Sequence, residues 1–77
     1  MEQQIIKILS EIRPEFDFTK RLNFIDEGML DSFDVIRLVA ELDKTFNTSI
    51  DGTDILPNNF SSVEKIIALL NKNGIES

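Results

Sequence analysis

Two of the side chains most used in protein chemistry are missing. The 77-residue chain has no cysteine and no histidine. With them go disulfides, thiolate nucleophiles, imidazole general bases and every zinc site built from Cys and His. Carboxylates, lysine, serine and threonine remain for catalysis, and no serine has a histidine to activate it. The lack of cysteine suits a reducing cytoplasm, which is the expected location. No apolar run approaches the length of a membrane span. Residues 1–9 lack a basic start and are interrupted by Gln3, Gln4 and Lys7, so no secretory signal is expected. Internal repeats, low-complexity stretches and Gly-rich phosphate loops are also absent.

Bases are scarce in the middle of the chain. Residues 26–54 hold eight acids (Asp26, Glu27, Asp31, Asp34, Glu41, Asp43, Asp51, Asp54) against Arg37 and Lys44, so this segment carries the whole net charge of −6. Phosphate backbones need cations, so nucleic-acid binding is disfavoured. A basic protein partner fits the central segment better, although a merely solvated acidic surface accounts for the asymmetry as well.

What is present is an apolar content of 42% arranged at helical spacing. Ile5, Ile8, Leu9 and Ile12, widened by Ile6, predict a helix over about residues 2–13, stopped by Pro14. Residues 14–31 form a long connection that is not a polar linker. Its Phe16, Phe18, Leu22, Phe24, Ile25, Met29 and Leu30 predict packing across the helices, and loops of this length tend to be functional. Gly28 can relieve the backbone where the chain turns toward the next helix.

Val35, Leu38, Val39, Leu42 and Phe46 predict a second helix from Ser32 or Phe33 to Phe46. Asp31 or Ser32 can cap it, with Asp34 completing a capping box, and Asn47 can end it. Residues 50–59 read as irregular, with a short helical turn around 53–56. Val63, Ile66, Ile67 and Leu70 predict a last helix capped by Ser61, with Glu64 in the box position and Gly74 as its stop. The expected fold is all-α: a small four-helix bundle of three main amphipathic helices plus one short helix, forming one domain over residues 1–77. Asp51, Gly52, Thr53 and Asp54 look calcium-like, but Gly follows the first Asp directly, which an EF-hand loop does not allow.

One local feature stands out, Gly28-Met29-Leu30-Asp31-Ser32-Phe33-Asp34, directly before the second helix. Alone, a Ser or Asp in that place is an ordinary helix cap. Together with the acidic centre, the chain length and the order of apolar positions through Phe46, Ile50, Phe60, Val63, Ile66 and Leu70, the motif resembles the acyl and peptidyl carrier protein family over nearly the whole chain.

The resemblance implies a free-standing carrier with no chemistry of its own. Ser32 is then the serine that receives covalent 4′-phosphopantetheine from coenzyme A through a phosphopantetheinyl transferase. Asp31 matches the acidic residue associated with transferase recognition. Phe33 takes the place of the apolar residue that partner enzymes contact, and Met29, Ile36, Asp34 and Arg37 are further expected partner contacts. At roughly 100° per residue, Phe33 lies about 140–180° off the buried stripe, with Ile36 about 60° from it on the same side. A phosphodiester at a helix N-terminus also meets free N–H groups and a favourable dipole.

The implied partners are the transferase and acyl- or aminoacyl-activating and transferring enzymes, acting on a monomer. The cargo stays open. Arg37 stands where fatty-acid carriers commonly have an acid, and the Leu56-Pro57-Asn58-Asn59-Phe60 segment looks closer to D-alanyl or other aminoacyl carriers, or to accessory acyl carriers. A non-covalent docking module of the same fold is the competing function. An enzyme is not expected.

Overall fold

The computed structural model describes residues 1–75. It has three α-helices, α1 (Glu2–Ile12), α2 (Ser32–Phe46) and α3 (Val63–Lys72). The expected short fourth helix is two single 3-10 turns, Gly52–Asp54 and Pro57–Phe60. No strand occurs among the described residues. α1 packs against both α2 and α3, and the second 3-10 turn bridges α2 and α3.

Each helix ends where local chemistry ends it. Arg13 leaves the helical region at φ −133° and ψ 80°, as the residue before a proline must. At the C-terminus of α2, Asn47 adopts the left-handed conformation at φ 50°. Asparagine tolerates that better than other residues with a Cβ. Asn47 and Thr48 then both donate their N–H to the Asp43 carbonyl. Gly74 closes α3 at φ 88°. Its N–H meets the Asn71 carbonyl while the Ile75 N–H reaches back to Leu70, a pairing that satisfies two of the carbonyls left free at a helix end.

The start of α3 differs from expectation by one residue. Ser62, not Ser61, caps it, accepting the Lys65 N–H at 3.2 Å. Ser61 is buried and committed elsewhere. Its hydroxyl donates to the Asn58 carbonyl at 2.9 Å and its carbonyl accepts the Phe24 N–H at 2.7 Å. The expected box with Glu64 therefore does not form. The buried stripe of α3 is Ile66, Leu69 and Leu70, with Val63 and Ile67 only partly buried.

The long connection packs as its composition predicts, apart from Leu22, which is exposed. Phe18 and Phe24 are fully buried and meet edge-on with ring centroids 5.0 Å apart, a favourable geometry for aromatic quadrupoles. The Phe24 carbonyl accepts the N–H groups of Met29 and Leu30, at 2.8 and 3.1 Å. Phe24 thus ties Ser61, just ahead of α3, to Met29 and Leu30, just ahead of α2.

Candidate functional site

The N-terminus of α2 is built by residues close in sequence. Asp31 caps it in an extended conformation, at φ −108°. Its Oδ1 accepts the Asp34 N–H at 2.9 Å, and Asp34 Oδ2 accepts the Asp31 N–H at 3.1 Å. Aspartate thus closes the capping box in the place where glutamate is usual. Ser32, the next residue, is exposed and occupies the first helical position. Among the described residues no hydrogen bond engages its hydroxyl, and the capping duty falls to Asp31.

A residue that the sequence did not single out completes this end. Arg13, from the end of α1, donates Nε to Asp34 Oδ2 at 2.7 Å. Its Nη2 reaches Asp31 Oδ2 at 3.2 Å and its Nη1 reaches Glu15 Oε2 at 3.3 Å. No periodicity links positions 13 and 34, so nothing in the sequence pairs them. Among the described residues, no group of three acidic side chains is arranged to hold a metal ion. The carboxylates at this end are gathered by the guanidinium instead.

The Asp31 carboxyl titrates below the usual carboxylate range. The Asp34 N–H is the largest cause, with desolvation opposing it and the Arg13 charge assisting. Asp17 is lowered by the Thr19 hydroxyl and N–H, and Asp51 by the Thr53 N–H and hydroxyl. Folding lowers these three values, so the stability they contribute is complete above the unfolded carboxylate value, near roughly pH 4, and is lost as pH falls through the folded values. The urea midpoint of the wild type is expected to hold between about pH 7 and pH 5 and to decline below about pH 4. Urea titrations of Asp31→Asn beside the wild type isolate this carboxylate from the general change in self-repulsion of a chain of charge −6. Equal midpoints of the two proteins at every pH would remove Asp31 as a source of acid sensitivity.

The remaining expected contacts divide by burial. Phe33 is 78% exposed and Ile36 61%, neighbours on the outer face of α2. Arg37 is exposed on the same side and forms no ion pair among the described residues. Met29 and Asp34, also expected as partner contacts, do not belong to that exposed surface. Met29 is 4% exposed, drawn inward by its N–H bond to Phe24, and Asp34 is 5% exposed, held by the capping box and Arg13. Leu56, ahead of the second 3-10 turn, is a further exposed apolar residue, and its sequence context gave no sign of that.

A cleft of about 300 Å³ lies elsewhere, between the first half of α1, residues 18–24 and the start of α3. No side chain of α2 lines it. No helix among the described residues is long and apolar enough to cross a membrane.

A small helical bundle that presents an exposed, unengaged hydroxyl at the N-terminus of its longest helix has the build of a carrier, and that end also fits a phosphodiester, since the first N–H groups of a helix favour anions. Comparison with known proteins agrees. The family model described as phosphopantetheine attachment site matches residues 3–70. The chain is also 38% identical over 55 residues to the acyl carrier protein of Phytoplasma australiense, covering 71% of this chain and 70% of the relative. No solved structure matches it significantly. The chain belongs to the phosphopantetheine attachment-site family of carrier proteins. It is a non-catalytic carrier whose cofactor is covalently attached 4′-phosphopantetheine.

Proposed function

We propose that Ser32 bears the phosphopantetheine arm and that the chain, acting as one monomeric carrier domain in the cytoplasm, holds acyl cargo on it as a thioester. The observation that carries this reading is the Ser32 hydroxyl, exposed and unengaged at the first position of α2, inside Leu30-Asp31-Ser32-Phe33. When bound, the arm supplies the thiol that a cysteine-free chain lacks. The protein's own residues do the rest. Asp31 caps the helix and offers a carboxylate beside Ser32 for transferase recognition. Phe33 and Ile36 give partner enzymes an apolar foothold within one turn of the attachment point, and Arg37 adds a cation at its edge.

Acyl cargo is favoured by the name of the curated relative, an acyl carrier protein. Arg37 supports a second reading. An exposed, unpaired cation on the docking face of an otherwise acidic segment suits partners other than strongly basic ones, such as those of a D-alanyl or other aminoacyl carrier.

The test is an intact mass spectrum after incubation with coenzyme A, magnesium and a broad-specificity phosphopantetheinyl transferase. A gain of one phosphopantetheine supports the carrier reading. No gain in a folded sample, with a working control carrier, promotes the non-covalent docking module. Phe33→Ala is expected to leave stability within about 0.5 kcal/mol, because the side chain is exposed. The same change is expected to lower kcat/KM for the transferase by about fivefold or more. An unchanged kcat/KM would remove Phe33 from the docking surface.

A further inference from the structure

We propose that Arg13 is a positioning residue for attachment of the arm. Its guanidinium fixes the carboxylates of Asp31 and Asp34 around Ser32 and removes net negative charge from the end of α2, where a phosphate must arrive. The inference rests on Ser32 being the attachment site.

The geometry is specific. Both oxygens of Asp31 are assigned, Oδ1 to the Asp34 N–H and Oδ2 to Arg13 Nη2. Asp34 Oδ2 accepts from both the Asp31 N–H and Arg13 Nε. One guanidinium thereby sets the rotation of the Asp31 carboxylate and compensates the nearly buried Asp34. Glu15 adds a third carboxylate to the same cation. Without Arg13, Asp31 Oδ2 loses its guanidinium partner, and three carboxylates repel one another and any incoming phosphate.

The placement of Arg13 is itself a product of the fold. As the capping residue of α1, followed by Pro14, it lies where the chain turns away from the helix and can reach α2. Attachment forms a bond from the Ser32 hydroxyl oxygen to the phosphorus of the phosphopantetheine half of coenzyme A. The diphosphate bridge breaks, the nucleotide half leaves, and the hydroxyl proton passes to a base on the transferase. Arg13 touches none of these atoms and acts through Asp31.

The test is the steady-state rate of attachment, followed by mass spectrometry, with urea unfolding of every variant. Arg13→Gln is expected to lower kcat/KM for the carrier about tenfold, the equivalent of one lost charge-assisted hydrogen bond. Part of the deficit is expected to disappear as salt rises, because screening weakens the repulsion. Arg13→Lys keeps the charge without the fork, and is expected to recover part of the rate.

The double variant Arg13→Gln with Asp34→Asn separates positioning from folding. Its stability is expected to recover, because the nearly buried carboxylate is gone, while attachment stays slow because Asp31 is still unheld. A wild-type rate in Arg13→Gln overturns the inference. So does a double variant whose rate recovers in step with its stability. Should Arg13→Gln fail to fold, the double variant and Arg13→Lys decide by the same criteria. A wild type that gains no mass, or a gain that survives Ser32→Ala, overturns the Ser32 reading and this inference with it.

Discussion

Ser32→Ala is expected to abolish the mass gain completely and to leave the fold untouched. The two halves of that result have separate causes. The hydroxyl is the proposed nucleophile for attachment, and alanine offers no oxygen in its place. The same hydroxyl makes no hydrogen bond among the described residues, and the helix is capped by Asp31. Its loss therefore leaves no polar group unsatisfied. Alanine is also the better helix former, so stability is expected to stay within about 0.5 kcal/mol of the wild type. The buried or capping serines are poor substitutes, since the Ser61 hydroxyl is bonded to Asn58 and the Ser62 hydroxyl to Lys65. Peptide mapping of the modified wild type checks the position directly. Full modification of a folded Ser32→Ala protein would move the attachment site elsewhere and leave Ser32 as an ordinary helix residue.

The largest effect on stability is expected from Phe24→Ala. Phe24 is fully buried, packs edge-on against Phe18, and sits in the segment whose backbone joins Ser61 to Met29 and Leu30. Truncating a buried phenylalanine costs about 3–5 kcal/mol, and the aromatic pair adds about 1 kcal/mol. A chain of 77 residues has about 4–12 kcal/mol in total. The variant is therefore expected to be partly unfolded in buffer, or to unfold at a small fraction of the wild-type urea midpoint. The chain has no tryptophan or tyrosine, so far-UV circular dichroism is the appropriate signal. Leu22→Ala, at an exposed position of the same loop, is the control and is expected to cost under about 0.5 kcal/mol. A Phe24→Ala loss below about 1 kcal/mol would mean that residues 14–31 are not a structural part of the core.

This loop marks a boundary between what local patterns reveal and what they do not. Its apolar composition announced that it packs. Met29 carried two expectations, packing with the loop and facing partners, and the structure decides for packing, with its N–H bonded to the Phe24 carbonyl. Phe33 and Ile36 were legible because angular position on a helix follows from spacing alone.

By itself the sequence determined the three helices, most of their buried stripes, the stops at Pro14, Asn47 and Gly74, the capping box of Asp31 and Asp34, and the serine beside it. All of these rest on interactions between residues within a few positions of one another, which spacing and residue type express directly. The start of α3 at Val63 rather than a residue earlier turned on a local bond that residue type did not announce, the Ser61 hydroxyl to the Asn58 carbonyl, while only the tertiary structure brought the Phe24 N–H to the Ser61 carbonyl. It alone brought Arg13 to Asp34 across 21 positions. Contacts of that kind depend on where whole elements come to rest against each other, and no local pattern in the chain encodes them.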